Sequence, residues 1–137
     1  MRPFSITLVC ILAVSLSACA SRARGPAGGT PRPLQTREGL ASFYGSEFQG
    51  KRTASGIPFD MNAMVAAHPS YPFGTRVRVT NLANGRSATV RVVDRGPAAA
   101  QQAQGLIIDV SRRAAQRLGF TERGRTRVRL QVLSWGE

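Results

Sequence analysis

The chain has 137 residues, enough for one domain with a tail to spare. Hydrophobic residues make up 42% and charged residues 19%, which excludes both a disordered chain and a multi-pass membrane protein. Fourteen Gly and eight Pro favour many turns and short strands over a helix bundle. The net charge is +12, from 19 basic residues against seven acidic ones, and every basic residue but Lys51 is Arg. That balance points to an anionic partner: nucleic acid, a membrane surface or an acidic polymer. Two Cys and one His are too few for a disulfide framework or for a zinc site built from those residues.

Residues 1–18 have the shape of a secretory signal, with Arg2, an apolar core over 4–16, and small Ser17 and Ala18. The core is shorter than the roughly 20 residues that span a bilayer. The ending Leu16-Ser17-Ala18-Cys19 resembles the lipobox of bacterial lipoproteins. The resemblance implies that Cys19 becomes a lipidated N-terminus, and Ala20 after it implies an outer-membrane anchor facing the periplasm. Cys10 leaves with the signal, so the mature chain keeps no free thiol for a thiol enzyme. Export also argues against a nucleic-acid partner. Residues 19–38, beginning at the lipidated Cys, are rich in Gly, Pro and Arg and read as a disordered tether.

Residues 39–137 form the expected compact domain, mostly β. The clearest piece is the run from Arg76 to Asp94, RVRVTNLANGRSATVRVVD. Asn84-Gly85 is the preferred pair for a two-residue type I′ turn. That turn sets Val79 opposite Val90, Val77 opposite Val92 and Arg78 opposite Arg91, with the valines on one face. Further strands are expected over residues 40–44, 63–67, 106–109 and 126–133. The last alternates Val128, Leu130 and Val132 inward with Arg127 and Arg129 outward. One short helix is expected, capped by Ser111 and Gly119, with Ala114, Ala115 and Leu118 on its buried face. Six short strands and one helix suggest a small closed barrel.

Read in order, GLASFYG, GKRTASG, AMVAAH, PFGTRVRVTNLANGR, VRVVDRGP and LIIDVSRRAAQRLG closely resemble the rare lipoprotein A family of bacterial peptidoglycan lytic transglycosylases. The resemblance covers about residues 39–133 and implies a six-stranded double-psi β-barrel related to that of expansins. It implies endolytic cleavage of glycan strands stripped of stem peptides; no cofactor is expected, and a metal would need partners that the residues do not supply. The C-terminal peptidoglycan-binding repeat domain of many members has no counterpart in the 137 residues. By residue match, the family's site His falls on His68 and the Asp of its Asp-Arg-Gly-Pro on Asp94. The family's Glu position is held by Ile57, which keeps a non-catalytic, expansin-like wall-binding module as the alternative.

A lytic transglycosylase needs a carboxylic acid to protonate the leaving oxygen. The same group can then take a proton from the sugar's own hydroxyl as the anhydro ring closes, which relaxes the usual demand for two carboxylates. Asp94 follows Val90 and Val92 at even spacing, so a continuing strand aims it at the core side near the barrel mouth. The competing role is a turn anchor at Gly96-Pro97. His68 has three readings: it orients Asp94, binds the sugar, or is a satisfied barrel histidine. Asp109 is read as structural, a charge near a helix start. Phe43, Tyr44 and Phe48 suit either sugar stacking or the core.

Overall fold

The computed structural model describes residues 29–136. The signal, Cys19 and most of the tether lie outside the described residues. Six strands, β1 (Gln35–Phe43), β2 (Val65–Ala67), β3 (Arg76–Asn81), β4 (Ser87–Asp94), β5 (Leu106–Val110) and β6 (Thr126–Ser134), close into a barrel in the order β1-β5-β2-β4-β3-β6. β1 runs parallel to β5 and β2 parallel to β4, while the other neighbours are antiparallel. Closure leaves no open edge to be covered. Alternation along β3, β4 and β6 places Val77, Val79, Val90, Val92, Val128, Leu130 and Val132 inside, each at most 1% exposed. Each such side chain contributes about 1.5–3 kcal/mol of burial free energy.

The helix α2 (Arg112–Leu118) covers the barrel through Ala114, Ala115 and Leu118, as its spacing predicts. The Ser111 hydroxyl accepts from the Ala114 N–H and donates to the Ala63 carbonyl at 2.6 Å, while Gly119 takes the left-handed conformation of a C-cap (φ 74°). A second, single-turn helix α1 (Ala99–Gln102) and a 3₁₀ turn (Ser46–Phe48) add to the one helix expected. Neither contains a buried residue, so neither leaves a periodic apolar signal to read.

Two expectations need correction. The domain starts before residue 39, because Gln35–Glu38 pair with Arg129–Val132 of β6. These four residues show no buried face, and it is the β6 backbone that makes them a strand. The β3–β4 hairpin is also shifted by two residues: Val77 faces Val90, Val79 faces Ala88 and Arg78 faces Thr89. Among the described residues none other than glycine has positive φ, so Asn84 cannot serve a type I′ turn. The loop is longer, closed by Asn81 N–H to the Arg86 carbonyl and Gly85 N–H to the Asn81 carbonyl, both at 2.8 Å. Its organiser is the buried Asn81 side chain. Asn81 Oδ1 accepts from the Ala83 N–H and the Thr126 hydroxyl, and its Nδ2 donates to the Leu118 carbonyl. The two-residue shift preserves parity, so the valines keep their face.

Candidate active site

Asp94 ends β4, where the ladder with β2 slips between Ala66 and Ala67. Val92 and Val93 are both buried there, so the alternation that aimed Asp94 inward is broken. Asp94 instead lies half-buried at the rim, with a carboxylate that accepts three hydrogen bonds. Tyr44 Oη donates to Oδ2 at 2.7 Å, and the N–H groups of Ala54 and Arg95 donate to Oδ1 at 2.9 and 2.8 Å. The Ala54 bond, with Ser55 N–H to the Val93 carbonyl at 3.1 Å, seats the 53–57 turn against the end of β4. Thr53 builds that turn, its hydroxyl donating to the Ile57 carbonyl at 2.7 Å. Ile57 stands on the turn 44% exposed. The Arg95 guanidinium turns away from the carboxylate. It donates to the Tyr71 and His68 carbonyls and lies 4.1 Å from the centre of the Phe73 ring.

The structure adds a carboxyl that the sequence pattern assigns to the helix start. Asp109 belongs to β5, and the cap of α2 is Ser111. Ala67 pairs with Asp94 on one side and with Asp109 on the other, so the two aspartates flank a single β2 residue. Two strand spacings put their backbones roughly 10 Å apart. Ser42, opposite Asp109 in the β1–β5 ladder, donates its hydroxyl to Asp109 Oδ1. Burial raises the Asp109 pKa above the ordinary aspartate value, and the Asp94 charge adds to the rise while Ser42 and Arg125 oppose it. Burial also raises the Tyr44 pKa, reinforced by its bond to Asp94 and by both carboxylates, so the phenol keeps its proton. Ser42, Tyr44 and Asp109 line a cleft of about 240 Å³ with Phe48 and Gln101. The readable signal was Ser42 and Tyr44 two residues apart, on one face. What hid Asp109 was the parallel β1–β5 pairing that brings it to them.

His68 follows β2 and its N–H donates to the Asp94 carbonyl at 3.2 Å, yet no hydrogen bond joins the two side chains. The ring is 4% exposed and stacks on Tyr71 at 3.5 Å between centroids, 9° from parallel. Nδ1 accepts the N–H groups of Ser70 and Tyr71 at 3.1 and 3.0 Å, which leaves the proton of the neutral ring on Nε2. Burial lowers the His68 pKa to about 4, helped by the charges of Arg37 and Arg95. Protonating Nδ1 would also set a third N–H against two others. His68 is therefore neither a base acting on Asp94 nor the partner that orients it.

A six-stranded barrel with paired parallel strands and a carboxyl-lined rim defines a class, the double-psi β-barrel. Two solved structures share the fold: a Streptomyces papain inhibitor (TM-score 0.58, 23% identity, 74% of this chain and 97% of that one) and an expansin from Clavibacter michiganensis (TM-score 0.55, 24% identity, 75% and 52%). The family model described as lytic transglycolase matches residues 36–130, and the chain belongs to that family. It is similar to the endolytic peptidoglycan transglycosylase RlpA of Neisseria meningitidis, 42% identical over 132 residues. The match covers 93% of this chain and 54% of the relative, so the chain spans about half the relative's length.

Proposed function

We propose that this protein is an endolytic lytic transglycosylase that cuts the bond between N-acetylmuramic acid and N-acetylglucosamine in peptidoglycan strands stripped of stem peptides. Family membership supports the reaction class, and the observation that carries it to residues is the Asp94–Asp109 pair flanking Ala67, with Tyr44 at Asp94. Burial and the nearby Asp94 charge raise the Asp109 pKa above the ordinary aspartate value. Asp94, at the rim, protonates the leaving oxygen as positive charge develops at the muramyl carbon. The muramyl 6-hydroxyl then attacks the same carbon, and its proton returns to Asp94. The bond to the leaving oxygen breaks, the anhydro bond forms and no water is consumed. Tyr44, locked as a phenol, holds the Asp94 carboxyl in place while its charge changes.

The test is mass analysis of fragments from purified naked glycan, with wild type and Asp94→Asn. The wild type should release anhydro-ended fragments. Asp94→Asn should lose on the order of 10²-fold or more in rate with folding intact. Glycan binding without anhydro products would favour the wall-binding module, the reading to which Ile57 in place of the family's Glu points. The lipobox supports the further reading that Cys19 carries lipid and anchors the chain to the periplasmic side of the outer membrane. Cys19→Ala should then abolish lipid labelling and membrane fractionation, and unchanged labelling would refute it.

A further inference from the structure

The largest unexplained group at the rim is His68, buried beside Asp94 and yet aimed elsewhere. With Nδ1 occupied by two backbone N–H groups, its Nε2–H has no partner among the described residues. The ring lines a cavity of about 210 Å³ together with Arg37, Ser70, Gln102, Leu106 and Ile107. Arg37 is exposed and has no carboxylate partner, since the ion pair found among the described residues joins Arg129 to the neighbouring Glu38. The Arg37 charge acts on His68 and also on Tyr71, whose hydroxyl is buried with no partner. The cavity therefore combines a fixed N–H donor and a free guanidinium with the partly exposed apolar side chain of Ile107. That set has no use for a cation and suits a small group with a carboxylate at one end and a methyl at the other.

The position is as telling as the chemistry. Through Gln102 and Pro69 the cavity adjoins a groove formed by Arg95, Gly96 and Pro97, the segment that directly follows Asp94. A glycan strand that lay across Asp94 and continued along this groove would pass the cavity mouth. Of the two sugars in such a strand, muramic acid alone carries a lactyl ether, which has a methyl and a carboxyl group. The carboxyl is a free anion when no peptide is attached and a neutral amide when one is.

We propose that the Arg37–His68 cavity is a subsite for the free lactyl carboxylate of a muramic acid residue, and that it selects strands without stem peptides. The choice of sugar rests on the transglycosylase reading above. The guanidinium and Nε2–H hold the carboxylate, and Ile107 receives the methyl. An amide loses the charge and brings peptide bulk to the cavity mouth. His68 serves binding as a neutral donor, which is why its low proton affinity is an advantage: the ring stays in one tautomer throughout the neutral range.

His68 is the only histidine in the chain, so its ring signals report on the cavity without ambiguity. In NMR titrations, N-acetylmuramic acid should shift those signals saturably. N-Acetylglucosamine, which lacks the lactyl group, and muramyl dipeptide, whose lactyl carboxyl is an amide, should do so at least tenfold more weakly. Arg37→Gln should weaken the muramic acid titration about tenfold, the usual effect of losing one charge-assisted hydrogen bond. Equal shifts from all three sugars, no shift from any, or an unchanged titration in Arg37→Gln would each overturn the subsite. The outcome is separable from the enzymatic reading. If naked strands are cleaved but muramic acid leaves His68 unmoved, the subsite falls and the enzyme stands. If muramic acid binds through Arg37 but no strand is cleaved, the subsite stands and the enzyme falls.

Discussion

His68 makes the acid stability of this domain predictable. Its folded-state pKa is about 4, against an ordinary value of 6.5, because the ring is buried and faces the charges of Arg37 and Arg95. Between these two values the unfolded chain binds a proton that the folded chain refuses. Stability from this residue is therefore complete above pH 6.5 and is lost as pH falls toward 4. A gap of that size corresponds to a ceiling of about 3 kcal/mol, and about 2 kcal/mol is expected once water screens the charged ring. In a domain of this size that is a fall of about 10 °C in melting temperature. The control is His68→Asn, whose Oδ1 can still accept the Ser70 and Tyr71 N–H groups but does not titrate. The variant loses the stack on Tyr71 and should be less stable at pH 7. Its further loss between pH 6.5 and pH 4 should be smaller than that of wild type by about 2 kcal/mol. Urea unfolding at closely spaced pH values reads this difference, and equal acid losses in the two proteins would refute the reasoning.

The opposite sign is expected for Asp109, whose folded pKa is raised by burial, so its ionisation costs stability as pH rises through that value. Asp109→Asn should melt higher than wild type at pH 7, with the advantage gone at pH 3, while glycan cleavage falls; an unchanged melting temperature at pH 7 would contradict the assignment. Ile57 is exposed on the turn that leans on Asp94, so Ile57→Glu should fold normally and increase the release of anhydro-ended fragments. A slower variant would mean that the rim is built around an apolar residue at this position. Asn81→Ala removes bonds to Leu118, Ala83 and Thr126 from a residue 2% exposed. It should cost about 3 kcal/mol in chemical denaturation, and a loss below 1 kcal/mol would show that water replaces the lost partners.

How much could be read ahead of the structure differs from one residue to the next, for physical reasons. The alternation of Val77, Val79, Val90 and Val92, and of Val128, Leu130 and Val132, specifies which side chains are buried whatever the neighbouring strand is, because period two is a property of the strand itself. Ser111 and Gly119 likewise mark α2 through local hydrogen bonding and backbone conformation. Asp94 and His68 stand out by motif, and Asp94 lies at the rim. The hairpin register depended instead on Asn81, whose bonds reach Leu118 and Thr126, far along the chain. Gln35–Glu38 become a strand only because β6 lies beside them. Asp109 looked like a helix-start charge until the parallel β1–β5 ladder set it against Ser42 and beside Tyr44. The direction of the His68 ring followed from two backbone N–H groups after β2. The sequence by itself thus determined which faces are buried and which residues bear the chemistry. Only the tertiary structure decided which of those residues meet, since partners distant in sequence are chosen by barrel closure and leave no local pattern.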